Sequence, residues 1–172
     1  MRPLLFCALA AAFAMTSPAI AQSAPAGSPL IDYGGYERLT REVRDHRATR
    51  LISMADFNAL RDKSDVLLLD ARSAQAFAEG HMKGAVNLPL PDFTADALAE
   101  VIGENKGRKI LIYCNNNFTD NARPVVTKAL PLALNIQTFI NLYGYGYKNV
   151  YELGYALKTT DVRVNWVVSS AS

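Results

Sequence analysis

The sequence is poor in cysteine, in net charge and in long apolar runs, and each scarcity excludes something. Its 172 residues hold two cysteines, Cys7 and Cys114. The N-terminal apolar run, residues 4–15, follows Arg2 and is broken by Thr16, Ser17 and Pro18, short of the roughly 20 residues a membrane span needs. With the small-residue site Ala19-Ile20-Ala21 behind it, residues 1–21 read as a secretory signal peptide cut after Ala21. The expected destination is the periplasm or the exterior, with no membrane attachment after removal. Cys7 leaves with the signal and lacks the leucine-rich cleavage box of a bacterial lipoprotein. Cys114 then stands as the one mature thiol, and no disulfide forms within the chain. Without Arg2 the 18 basic residues become 17 against 16 acidic, a formal charge of +1. That balance makes no electrostatic case for nucleic acid. No internal repeat is present, and residues 22–172 suit one domain.

Residues 22–48 read as a Pro/Ser/Ala linker followed by a surface helix, with Leu39 and Val43 at helical spacing among charges. Strands are expected at 50–52, 66–70, 85–88, 110–113 and 150–153. The run Val66-Leu-Leu-Leu-Asp70 does not alternate, as befits a strand buried on both faces of a parallel sheet. Helices fall between: Ser53 can cap 54–60, Ser73 precedes 74–79, and Thr94 can cap 95–102, closed by Gly103. Alternating strands and helices mean an α/β fold with a parallel sheet. The tail, 158–172, has room for a short edge strand at 163–168.

Ligands of such sheets bind beyond the carboxyl ends of the strands, where Cys114 stands. Three asparagines follow it, Asn115 to Asn117. After glycine, asparagine best tolerates the left-handed dihedrals that let successive N–H groups converge on an anion. Such a nest lowers a thiol's pKa below its free value of about 8.5. The competing reading is an Asn-rich turn after a buried, inert cysteine.

The segment LLLDARSAQAFAEGHMKGAVNLP, residues 67–89, resembles the rhodanese-like family, as do ILIYC, residues 110–114, and GYKNVYEL, residues 146–153. The likeness covers residues 49–157, and the phrases YCNNN and NLYGYGYKNVYEL resemble a secreted branch of that family. It implies a five-stranded parallel sheet flanked by helices on both faces, and a sulfurtransferase that needs no metal or organic cofactor. Cys114 would take sulfane sulfur from a small anionic donor such as thiosulfate and pass it to a thiol or cyanide. The main chain of Asn115, Asn116, Asn117, Phe118 and Thr119 would cradle the persulfide. Asp70 and Arg72 would support the site, and His81 would be a structural hydrogen-bonding residue.

One departure is large. The helix cap expected soon after the cysteine corresponds here to Asn135, with a helix over 136–143 ended by Gly144. The intervening segment, 120–134, reads as a lid or a pocket wall, and its Arg123 and Lys128 are the candidate cations for an anionic donor. Two other functions remain in view. Related phosphatases and arsenate reductases place arginine six residues after the cysteine, where this chain has Asp120, which would repel phosphate. A non-catalytic binding or sulfur- and redox-sensing module would use the same cysteine without turnover.

Overall fold

The computed structural model describes residues 30–168, and in it the five expected strands form one parallel sheet. The segment expected to be a signal peptide, the cleavage expected after Ala21 and Cys7 all fall outside the described residues. In chain order the elements are α1 (Tyr33–Ala48), β1 (Leu51–Ile52), α2 (Met54–Arg61), β2 (Val66–Asp70), α3 (Ala74–Glu79), β3 (His81–Met82) and β4 (Val86–Asn87). They continue with α4 (Ala95–Ile102), β5 (Lys109–Tyr113), α5 (Leu134–Gly144), β6 (Val150–Leu153) and β7 (Trp166–Val167). Sheet order is β1-β6-β5-β2-β4, so β5, which leads to Cys114, is central.

Side chains alternate across a strand, and both faces of β2 and β5 are covered, so the runs 67–69 and 110–112 are apolar without alternation. Leu67, Leu69, Ile110 and Ile112 face one core with Val43 of α1, Leu98 and Ile102 of α4, and Phe139 and Leu142 of α5. Leu68, Leu111 and Tyr113 face a second core with Met54 and Phe57 of α2, Val125 and Val164. Ser53, Ser73 and Thr94 do cap α2, α3 and α4, accepting from the N–H groups of Asp56, Ala76 and Ala97. Each such cap is worth about 1 kcal/mol.

The flanking segments are more integral than the sequence suggested. α1 packs on α5 and buries Val43. The tail forms β7, antiparallel to β3, and seats Val164 in the second core. The indole of Trp166 lies so close over Gly80 that a Cβ there would fall 2.4 Å from Nε1. Residue 80 is therefore glycine for lack of room. The segment 120–134 is a wall: Val125 is buried in the second core, and Asn116 makes two hydrogen bonds to the main chain of Lys128.

Candidate active site

Cys114 directly follows β5 and stands at the N-cap of a short 3-10 turn, Asn115–Asn117. No asparagine of the turn is left-handed; among the described non-glycine residues only Asn121 and Asn165 have positive φ. The triplet earns its place through a side chain. Asn117 Oδ1 accepts from the Cys114 N–H at 2.8 Å, while its Nδ2 donates to the carbonyls of Leu153 and Tyr155 at 2.8 and 2.9 Å. The amide thereby pins the turn to the end of β6.

The expected five-residue cradle is mostly spent elsewhere. The N–H groups of Asn117, Phe118 and Thr119 donate to the carbonyls of Cys114, Asn115 and Leu157. Those that favour a Cys114 thiolate belong to Asn135, Asn116 and Leu134. Two of the three come from the first turn of α5, whose N–H groups have no partner within the helix. Asn135 is thus not the cap. Ala133 holds that position, with no side-chain hydrogen bond. Asn135 lies two residues further on, within the first turn, where its Nδ2 donates to Asn117 Oδ1 at 3.1 Å and Glu152 Oε1 at 3.3 Å.

A cavity of about 330 Å³ opens beside the thiol. Cys114, Asn116 and Asn117 line it from the turn, Ala133 and Asn135 from the start of α5, and Glu152 to Ala156 from β6 and the residues after it. Leu51 and Arg47 complete it. Arg47 and Glu152 escaped the sequence reading. The guanidinium grips the carboxylate through Nε to Oε2 at 2.5 Å and Nη2 to Oε1 at 2.7 Å. A signal existed for both. A carboxylate inside the strand VYEL needs a partner if buried, and Arg47 continues the Leu39, Val43 stripe of α1 at intervals of four.

The two cations expected to meet a donor lie elsewhere. Arg123 is exposed, ion-paired with Glu79, and lines a separate cavity with Asn115 and Pro124. Lys128 is exposed, and only its main chain reaches the turn, through Asn116. Neither lines the cavity at Cys114. Asp120 spends both carboxylate oxygens on Thr159, fastening the turn to the tail.

Asp70 and Arg72 form a buried pair, with two guanidinium nitrogens on the carboxylate at 2.9 and 2.6 Å. Tyr113 donates its hydroxyl to Asp70 at 2.6 Å, and Arg72 donates to the Gly80 carbonyl at 2.7 Å. Burial pushes the Tyr113 phenol well above its ordinary pKa, so it stays a donor. The ring of His81 stacks on Phe77 at 3.8 Å, and its Nδ1 meets the Phe77 carbonyl at 2.9 Å. Among the described residues, no cluster of histidine, cysteine and carboxylates is arranged to hold a metal.

Burial pushes the Cys114 thiol above its ordinary pKa. The three N–H groups oppose the rise without cancelling it, and Glu152 adds to it. This reverses the expected depression: the thiol is only 1% exposed, so desolvation outweighs the amides. Its rate of alkylation should accordingly show a midpoint above the free value of about 8.5, and a midpoint below it would contradict this balance. The fold favours the protonated thiol, so this group's stabilisation is complete below about pH 8.5 and is lost as pH rises through the folded value.

A family profile described as "Rhodanese-like domain" matches residues 53–156. An HTH-type transcriptional regulator of Mycobacterium tuberculosis is 34% identical over 67 residues, 39% of this chain and 28% of the regulator. A tRNA uridine(34) hydroxylase of Bacillus thuringiensis is 34% identical over 82 residues, 45% of this chain and 25% of the hydroxylase. The chain thus spans about a quarter of the length of these curated relatives. Among solved structures, the BH2092 protein of Bacillus halodurans is 17% identical at a TM-score of 0.45, covering 72% of this chain and 75% of that one. A single-domain sulfurtransferase of Saccharomyces cerevisiae is 12% identical at 0.42, covering 62% and 84%.

Proposed function

Because the chain belongs to the rhodanese-like domain family, we propose that it transfers sulfane sulfur through a persulfide on Cys114. The Cys114 thiolate attacks the sulfane sulfur of a donor such as thiosulfate, the donor's S–S bond breaks, and sulfite leaves with the electron pair. A thiolate or cyanide then attacks the outer persulfide sulfur and returns Cys114 to its starting state. The observation that supports this reading best is the place of the Cys114 thiol, directly after the central strand and on the wall of an open cavity, where the main-chain N–H groups of Asn116, Leu134 and Asn135 favour its anion. They can hold the outer sulfur of a persulfide as an anion without a metal or side-chain cation. The same cavity would serve a secreted protein released by cleavage after Ala21.

Intact-mass measurement tests the reading. Incubation with a sulfane donor should add one sulfur atom to the wild type and none to Cys114→Ser, and cyanide should remove it as thiocyanate. A second reading, a sensing module that loads sulfur without turning over, is favoured by one observation, the burial of the thiol. Loading with no release to cyanide or thiols would establish it instead.

A further inference from the structure

The lining of the Cys114 cavity holds one cation and one anion, and they are bonded to each other. Arg47 presents its fork to Glu152 through two short hydrogen bonds, so its charge is already compensated. Among the described residues no other lysine or arginine lines the cavity. What remains to favour an incoming anion is the main chain of Asn116, Leu134 and Asn135 beside Cys114. A dianion entering beside a thiolate and Glu152 finds no free cation.

Two further features describe what the cavity suits. Asn135 Oδ1 is a buried acceptor with no hydrogen-bond partner, in a residue 3% exposed. A ligand carrying an N–H or S–H group can satisfy it, and thiosulfate offers only acceptors. Leu51, Ala133, Tyr155 and Ala156 give the cavity carbon surface for an organic body. Leu51 and Tyr155 are 42% and 57% exposed, and inorganic thiosulfate would leave both uncovered.

Resting on the sulfur-transfer reading, we propose that the cavity selects its donor by charge and takes sulfur from organic hydropersulfides in preference to thiosulfate. Glu152 is the residue that sets the preference. In the step proposed, the Cys114 thiolate attacks the outer sulfur of R–S–SH, the donor's S–S bond breaks, and its electron pair leaves on R–S. The leaving thiolate takes up the proton released from the outer sulfur, giving R–SH and a Cys114 persulfide anion held by the N–H groups. No oxidant or reductant is consumed.

Single-turnover loading, followed by intact mass with cysteine hydropersulfide or thiosulfate at equal concentration, tests the proposal. The wild type should load from the hydropersulfide at least about tenfold faster. Glu152→Gln keeps the shape and an oxygen acceptor for Arg47 while removing the negative charge, and it should move the rate ratio towards thiosulfate by about tenfold. Leu51→Arg, which adds a cation at the exposed rim and leaves the ion pair alone, should move it the same way, even if Glu152→Gln fails to fold. Equal wild-type rates, or a ratio that folded variants leave unchanged, would overturn the proposal while leaving sulfur transfer intact. Failure of both donors to load Cys114 would remove the sulfur-transfer reading and this inference with it.

Discussion

Replacing Arg72 with methionine should lower stability by about 3 to 5 kcal/mol, the cost of leaving a buried charge without its partner. Asp70 is fully buried at the carboxyl end of β2, and its carboxylate is neutralised by the Arg72 fork. Methionine fills part of the space and supplies no proton donor. Tyr113 would still donate to Asp70 but cannot offset a full charge. The Gly80 and Pro124 carbonyls would also lose their guanidinium donors. Urea unfolding measures the effect, and a loss under about 1 kcal/mol would show that water enters to solvate the carboxylate. Adding Asp70→Leu should recover part of the loss, because the stranded charge goes while the two carbonyls stay unserved.

The second large effect is expected at Asn117. Its truncation to alanine should cost about 2 to 4 kcal/mol, since the Cys114 N–H and the Leu153 and Tyr155 carbonyls each lose a buried partner. Sulfur loading of the folded variant should fall about a hundredfold, the scale on which small misplacements of a reacting group act. Both effects have one origin, because the amide that closes the turn also sets where the thiol sits relative to α5. Loading at the wild-type rate in a folded Asn117→Ala protein would mean that the main chain alone positions Cys114.

The sheet and the position of Cys114 at its edge were legible in the sequence because the signals were local. Continuous apolar runs marked β2 and β5, while Ser53, Ser73 and Thr94 stood where caps belong. The residue at the end of the central strand of such a sheet is placed at the ligand-binding edge by topology alone. What the sequence hid was long-range. Arg47 meets Glu152 across 105 residues, and nothing near either one names the other. Asn135 sat at a plausible cap and was read as one, yet its side chain turns into the buried network while Ala133 begins the helix. Arg123 and Lys128 were attractive because they lay close to Cys114 along the chain. Distance along the chain was the wrong measure, since the wall from 120 to 134 carries their side chains away from the thiol.

The packing of Trp166 over Gly80 also gives the chain a built-in light source. It is the single tryptophan of the sequence, and its indole lies edge-on to Phe118 at 5.0 Å and 5.4 Å from the guanidinium of Arg72. Phe118 directly follows the turn that begins at Cys114, so this one chromophore touches both the Cys114 loop and the buried ion pair. Its emission can follow the seating of the tail and the state of that loop in unlabelled protein.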